Sequence, residues 1–275
     1  MLTGERELNG LCATMRRELI ELLHSIQTGH PGGSLSCCEI LCTLYFSIMN
    51  IDPSNPKLRG RDRLILSKGH AAPMLYLCLA HRGFFPLEEM KNLRQVDSIL
   101  QGHPCAYKTP GVELSTGPLG LGLSAGIGMA ESAKHLGEDY YVYVILGDGE
   151  LQEGAIWEAT MSGAKFKTEN LIAIVDHNGV QLDGTTDEIM PLGDVGAKFT
   201  SFGWHVLHTD GHDVAKLSDA LNEAREYRKG PVAVIAKTVK GKGVSFMEGK
   251  SEWHGKPISD AELKAAIAEL GGASA

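Results

Sequence analysis

The sequence predicts an α/β fold in which a parallel sheet carries helices on both faces. Short runs rich in β-branched residues alternate along the chain with helical patterns, and most of these runs are largely apolar, as in strands that are buried on both sides. The predicted strands are RLILS (63–67), YVYVIL (141–146), LIAIVD (171–176), WHVLHT (204–209) and PVAVIAKT (231–238).

The first helix is predicted over residues 5–27, where apolar residues recur at helical spacing. TGHPGGS (28–34) is too rich in glycine and proline for regular structure, so His30 is expected on a loop. SCCE, from Ser36 to Glu39, fits a capping box that begins the next helix. Further helices are predicted over 71–82, ending at Gly83, and over 121–136, 153–165 and 214–228.

Composition excludes several classes of protein. The formal net charge is −8, and no basic stripe is present to meet nucleic acid. The charged N-terminus lacks the pattern of a signal peptide, and no apolar stretch is long enough for a membrane span, so a cytoplasmic protein is expected. We expect one domain over residues 1–275, with GGASA as a disordered tail.

The six cysteines are too few and too irregular for a disulfide framework. Cys37, Cys38 and Cys42 could share a helix face as metal ligands. They lie within the apolar run SLSCCEILCTLYFSIM, however, which favours small buried core residues.

Polar residues follow several of the predicted strands, at the edge where open parallel sheets bind their ligands. His70 follows the first strand, Asp148 the second, Asn178 the third, and VKGKG (239–243) the last. GDG or DHNG alone is commonly only a turn. Together, the Asp148 carboxylate, the Asn178 amide oxygen and the Val180 carbonyl form a hard-oxygen set that suits Mg²⁺ or Ca²⁺ with a diphosphate.

A dinucleotide-binding interpretation of GLGLSAG (120–126) is less favoured. That fingerprint directly follows a strand, whereas this segment follows a loop rich in proline and glycine. The long loop 101–122 is itself expected to be functional, because connectors of this length without secondary structure are uncommon.

GDG, followed about 28 residues later by Asn178, is the thiamine diphosphate motif. With it, the chain resembles the N-terminal, diphosphate-binding domain of transketolases over nearly its whole length. The resemblance implies a parallel sheet of about six strands that binds thiamine diphosphate through Mg²⁺, with Ca²⁺ or Mn²⁺ as substitutes. The segments that carry it are TGHPGGS, LSKGHA, GHP, STGPLGLG, GDGELQEG, LIAIVDHNGVQLDG and WHGKP.

Site roles follow from this resemblance, position by position. Asp148, Asn178 and the Val180 carbonyl match metal ligands, and His70 and His254 match histidines that contact the diphosphate. His30 and His103, with His254, are the catalytic candidates. The remaining cofactor-binding candidates are Gly117, Leu119, Gly147, Gly149 and Glu153. Glu153 and Glu158 match carboxylates at the family's dimer interface, although they also favour the N-terminus of their helix.

The sequence departs from the family at His177, Lys240 and Leu121. The family usually has Asn or Asp, an apolar residue and Gln, respectively, at these positions. Lys240 is a feature nearer to deoxyxylulose-phosphate synthases.

A full transketolase also has a pyrimidine-binding domain and a C-terminal domain. We therefore expect the N-terminal subunit of a split transketolase, joined to a separate C-terminal subunit in a heterotetramer and acting on sugar phosphates. The alternatives are a deoxyxylulose-phosphate synthase-like or acyloin-forming enzyme, and a non-catalytic binding subunit.

Overall fold

The structure, a computed structural model, describes residues 4–271. Five parallel strands form one sheet in the order β1-β2-β3-β5-β4. The strands are β1 (Arg63–Leu66), β2 (Val142–Gly147), β3 (Leu171–His177), β4 (His205–Asp210) and β5 (Val232–Lys237). The five apolar runs of the sequence are thus the five strands, one fewer than the family resemblance implies.

Helices cover both faces of the sheet, as predicted. They are α1 (Glu5–Ile26), α2 (Pro31–Ser36), α3 (Cys38–Thr43), α4 (Ala72–Arg82), α5 (Gly122–Leu136), α6 (Gly154–Phe166), α7 (Thr186–Ile189), α8 (Val195–Ser201), α9 (Val214–Glu226) and α10 (Asp260–Glu269). Short 3₁₀ turns occupy Gly69–Ala71, Leu87–Asn92, Gly149–Gln152 and Ser251–His254, and a π turn occupies Leu44–Ile48. None of the helices in residues 4–271 has the length and apolarity to cross a membrane.

Two hydrophobic cores lie on opposite sides of the sheet because successive strand residues point to opposite faces. On β2, Tyr143 and Ile145 join the core that also contains side chains of α1, α3, α4 and α9. Val142, Val144 and Leu146 join the core beneath α5, α6 and α8. Strands buried on both faces explain why the sequence shows continuous apolar runs rather than alternation.

The segment after α1 differs from the prediction. Residues 31–36 are helical despite their glycines, with Pro31 at the helix start, where its missing N–H is not needed. Ser36 does not cap the next helix. Its hydroxyl donates to the Asp176 carboxylate at 2.5 Å, and α3 begins after Cys37 without a side-chain cap. His30 itself lies outside the helix, as predicted, and directly precedes its first residue.

The cysteines are unpaired, and those near α3 are fully buried, as the sequence favours. The sulfurs of Cys12, Cys38 and Cys42 lie within 4.8 Å of one another, so Cys12 rather than Cys37 completes the thiol group. Of the predicted tail GGASA, residues 272–275 lie outside the described residues.

Two glycines on α5 provide a matched test of the packing between this helix and the sheet. A Cβ on Gly126 would lie 2.5 Å from Val144 Cγ2, whereas a Cβ on Gly128 would meet nothing within 4 Å. We expect Gly126→Ala to lower the free energy of unfolding by about 1–3 kcal/mol through overpacking. We expect Gly128→Ala to raise it by up to about 1 kcal/mol through helix propensity. Urea denaturation measures both values, and equal effects of the two substitutions would contradict this packing.

Candidate functional site

A cavity of about 270 Å³ opens at the carboxyl edge of the sheet, where β1, β2, β3 and β5 end. It brings together four separate loops, as the sequence predicts for this edge. The predicted site residues that line it are His70, Leu119, Gly147, Asp148, Gly149, Glu153, Asn178, Val180 and His254. Lining residues that the sequence reasoning did not single out are Gly33, Lys68, Glu150, Gln152, Gln181 and Leu182.

A broader depression of about 580 Å³ lies beside β4 and contains none of the predicted site residues. His177, one of the departures from the family pattern, lines it together with His208 and Lys237. His177 therefore faces away from the cavity, although its neighbour Asn178 lies within it. The loops that carry the predicted site residues meet at the smaller cavity.

Asp148 is buried in the tight turn that follows β2, with 1% of its surface exposed. Its carboxylate accepts hydrogen bonds from the backbone N–H groups of Gly149, at 2.8 Å, and of Gly179. Burial, together with the nearby Asp176 carboxylate, raises the pKa of Asp148 to about 6. Within residues 4–271 it forms no ion pair, so an anionic group faces the cavity without a cation of its own.

Asn178 and Val180 extend the oxygen-rich wall beside Asp148. The Asn178 side-chain oxygen accepts from the Val180 N–H at 3.0 Å, in a turn of the kind that asparagine favours. The Asn178 amide nitrogen donates to Asp176 at 3.4 Å. The side-chain oxygen of Asn178 is therefore the atom that faces away from Asp176. A carboxylate, an amide oxygen and a backbone carbonyl in one cavity form the kind of donor set that Mg²⁺ or Ca²⁺ takes.

A buried ion pair lies directly beneath the cavity. Lys68, 1% exposed, contacts Asp176 with 2.5 Å between Nζ and Oδ2, and it also donates to the Gly33 carbonyl at 2.8 Å. Asp176 further accepts from the hydroxyls of Ser36 and Thr238. Although burial alone would raise its pKa, Lys68 and these donors hold the pKa of Asp176 below its usual value.

Glu150 is a second buried carboxylate, and it closes the base of the turn after β2. It accepts from the Ser67 hydroxyl and from the backbone N–H groups of Gly120, at 2.9 Å, and Gly147, at 3.1 Å. Burial raises its pKa. Glu150 thus ties the loop after β1 and the loop before α5 to the Asp148 turn.

Three predicted histidines form a cluster at one end of the cavity. The ring centroids of His30 and His70 are 5.3 Å apart, those of His30 and His254 are 5.2 Å apart, and those of His70 and His254 are 4.9 Å apart. Burial and neighbouring cations lower the pKa of each, to about 4 for His30 and His254. All three rings are therefore neutral at pH 7. His30 does not line the cavity itself but adjoins it through the other two rings.

Lys240 lies between this cluster and the oxygen-rich wall. Its ammonium is 2.9 Å from the Gln181 carbonyl, 3.4 Å from the Val180 carbonyl and 3.2 Å from His254 Nδ1. Burial and the charge of Lys68 lower its pKa to about 8. A cation at this departure from the family pattern therefore faces the same cavity as Asp148.

His103 and Gly117 lie together on the long loop, outside the cavity lining. A Cβ on Gly117 would lie 3.4 Å from the His103 ring. The His103 side chain is exposed, and burial of its inner part and the nearby Arg94 charge lower its pKa. Leu119, on the same loop, reaches the cavity and remains 38% exposed.

Glu153 and Glu158 are both exposed at the start of α6. Glu153 lines the cavity, whereas Glu158 does not. The interface role that the resemblance gives them stays a prediction.

Comparisons with known proteins identify the family of the chain. Residues 9–274 match the family described as transketolase, thiamine diphosphate binding domain. An apulose-4-phosphate transketolase subunit from Phocaeicola vulgatus is 43% identical over 256 residues, which cover 93% of this chain and 90% of the relative. The 6-deoxy-6-sulfo-D-fructose transketolase subunit of a Clostridium strain is also 43% identical and covers 93% of each chain. Human transketolase is 38% identical, and its match covers 93% of this chain but 41% of the human protein.

Solved structures show the same relation. The transketolase of Pichia stipitis in complex with sedoheptulose 7-phosphate superposes with a TM-score of 0.92 at 32% identity, covering 96% of this chain and 41% of that one. The Campylobacter jejuni transketolase gives a TM-score of 0.90 at 34% identity, covering 96% and 43%. The chain therefore belongs to the transketolase family and corresponds to its thiamine diphosphate binding domain.

Proposed function

We propose that this chain is the diphosphate-binding subunit of a two-chain transketolase, active only with a separate C-terminal subunit. The observation that carries the proposal is the cavity in which Asp148, Asn178 and Val180 meet His70 and His254. A cation site beside a cluster of neutral nitrogen donors suits a metal-bound diphosphate. The relatives named as transketolase subunits, which this chain matches over nearly their whole length, support the split arrangement.

Mg²⁺ is the cation that we propose at Asp148, Asn178 and the Val180 carbonyl. The buried Asp148 carboxylate lacks an ion-pair partner within residues 4–271, and a divalent cation would supply one. Three protein oxygens leave coordination positions for diphosphate oxygens and water, as Mg²⁺ sites in phosphate-binding proteins commonly do.

The opposite wall supplies donors for the remaining diphosphate charge. His70 and His254 are neutral rings that can each donate one N–H, and Lys240 adds a positive charge close to both. Lys240, with a pKa of about 8, is mostly protonated at pH 7. This wall can thus bind an anion with two neutral N–H donors and a single positive charge, that of Lys240.

The reaction that we propose is transfer of a two-carbon ketol unit from a ketose phosphate to an aldose phosphate. Thiamine diphosphate, when bound, supplies the carbanion sink that makes cleavage of the carbon–carbon bond feasible. The protein must bind the substrate and move protons at its oxygens. His103 is the proposed proton carrier because its exposed side chain can exchange protons with solvent. His30 and His254 are proposed to contact the substrate from the inner side.

The partner is proposed to dock on the cavity rim, in a heterotetramer of two copies of each chain. Several large apolar side chains are exposed at or beside this edge, an arrangement that favours a protein interface. The exposed residues are Leu119, Leu121, Leu182, Ile189 and Met190. The full-length transketolases, of which this chain matches about two-fifths, carry further sequence that a partner would supply.

The donor sugar is left to experiment. The named subunit relatives differ in substrate, with apulose 4-phosphate in one name and 6-deoxy-6-sulfo-D-fructose in another. Xylulose 5-phosphate and ribose 5-phosphate, the pentose phosphate pair, are the proposed first substrates to assay. A different thiamine diphosphate activity would appear as transfer from another donor with the cofactor site unchanged.

Asp148→Asn tests the metal site with almost no change in shape. Loss of the charge should weaken Mg²⁺-dependent binding of thiamine diphosphate by about 100-fold. Substituting residues that only hydrogen-bond to metal ligands already lowers metal affinity by about 10- to 100-fold. Calorimetric titration of the purified chain measures this affinity. Asp183→Asn, on an exposed part of the next loop, is the matched control and should bind as the unmodified chain does.

Reconstitution tests the two-chain assignment. With thiamine diphosphate and Mg²⁺, the chain alone should bind cofactor and show no ketol transfer, whereas its mixture with the C-terminal subunit should transfer the unit to ribose 5-phosphate. Coupled spectrophotometry measures the product. Turnover by this chain alone at an ordinary enzymatic rate, about 1–1000 s⁻¹, would contradict the proposal.

Leu182→Lys tests the docking surface. Leu182 is 57% exposed at the cavity rim, so a charge there should weaken association with the C-terminal subunit by about 10-fold or more. Leu58→Lys is the control, because Leu58 is 43% exposed on the segment that enters β1, at the opposite edge of the sheet. Sedimentation of mixed chains measures both affinities, and equal weakening by the two variants would place the interface elsewhere.

A further inference from the structure

Arg94 lies beside His30 at the outer end of the histidine cluster, and no motif in the sequence singles it out. Its Nη2 is 3.3 Å from His30 Nδ1 and 3.5 Å from the Gly102 carbonyl, and its Nη1 donates to the Thr28 hydroxyl at 2.8 Å. Thr28 precedes the histidine by two residues, and Gly102 directly precedes His103. The guanidinium thus joins the two loops that carry the proposed substrate-facing histidines.

The backbone at Arg94 is unusual for an arginine. Its φ is +63°, in the left-handed region that favours glycine, and its N–H donates to the Leu100 carbonyl at 2.9 Å. The side-chain Nε is buried without a hydrogen-bond partner among the described residues. Both features are unfavourable in themselves, and such outliers concentrate at functional sites.

A guanidinium has only donors to offer. The nitrogen of His30 that faces it must therefore accept, so the neutral ring carries its single proton on Nε2. A proton on Nδ1 would point one donor at another, next to a full positive charge. Among the residues that the structure describes, the other groups facing His30 are His70, His254, His103 and Lys240, none of them an anion. Burial and the positive charges of Arg94 and Lys240 oppose a positive charge on His30, in agreement with a pKa lowered to about 4.

We propose that Arg94 is a positioning residue that holds His30 as the neutral tautomer protonated on Nε2. If the proposed function holds, His30 meets the substrate as a hydrogen-bond donor that stabilises negative charge on a substrate oxygen. It does not act as a base at that nitrogen. A neutral imidazole cannot readily give up its only proton, so the bond strengthens as charge develops and no proton is transferred. Net proton transfer then belongs to another group, for which His103 is the exposed candidate.

NMR of the isolated full-length chain tests this directly. Long-range ¹H–¹⁵N spectra distinguish the two neutral tautomers, and comparison with His30→Gln assigns the signals of His30. We expect the unmodified chain to show His30 protonated on Nε2 from pH 6 to 8. A proton on Nδ1 would overturn the proposal without the need for any variant.

Two variants separate the charge of Arg94 from its place in the fold. Arg94→Gly suits the left-handed backbone and removes the guanidinium, and we expect mixed tautomers and a rise of about 1 unit or more in the pKa of His30. Arg94→Lys keeps a donor-only cation and should retain the tautomer protonated on Nε2. His205, which stacks on Tyr227 at the start of β4, at the opposite edge of the sheet, reports any global change and should keep its chemical shifts. An unchanged His30 tautomer and pKa in Arg94→Gly would overturn the proposal.

Activity of the reconstituted enzyme provides an independent readout. In Arg94→Gly we expect kcat to fall by about 10-fold or more, with partial rescue in Arg94→Lys. The NMR result does not depend on turnover. A confirmed tautomer in a complex that transfers no ketol unit would therefore reject the proposed function and keep the role of Arg94.

Discussion

The buried contact between Lys68 and Asp176 is the interaction on which the site depends. Lys68 comes from the loop after β1 and Asp176 from the end of β3, and the pair also holds Gly33 and Ser36 of α2 and Thr238 after β5. Removing two charges from water is costly, and attraction between them offsets that cost only when the remaining donors and acceptors are satisfied. Here the surrounding hydroxyls and the Gly33 carbonyl satisfy them, so several loops are fixed at one point beneath the cavity.

This arrangement gives two nearby aspartates opposite properties. Asp176 has a cation and two hydroxyl donors, and its pKa is lowered. Asp148 is also buried, has only backbone donors within residues 4–271, and burial raises its pKa to about 6. Lys68 is already engaged with Asp176, and Lys240 contacts the carbonyl oxygens of Val180 and Gln181. The carboxylate that lines the cavity is therefore the one that still gains from a cation, which is the physical basis for placing a metal there.

The other walls of the cavity show a similar separation of charge. Lys240 and the neutral rings of His70 and His254 face the oxygen-rich wall, and Arg94 stands behind His30. Burial, together with the positive charge next to the histidines, keeps them neutral, so they present N–H groups of fixed direction rather than mobile protons. On the outer side, the exposed apolar residues Leu119 and Leu182 line the cavity. The inner half of the site is thus highly organised, and the outer half is a surface suited to a second protein.

The sequence by itself determined the fold class and the residues at the carboxyl edge. Short runs rich in β-branched residues, alternating with helical patterns, indicated buried strands, and polar motifs placed directly after strands such as β2 and β3 were expected to meet at that edge. Tertiary structure alone decided which groups pair. The bond from Ser36 to Asp176 joins positions 140 residues apart, and the approach of Arg94 to His30 joins positions 64 residues apart. Local patterns do not encode such contacts, because a hydroxyl or a guanidinium can satisfy itself in many local ways, and only the packed chain shows which partner remains within reach.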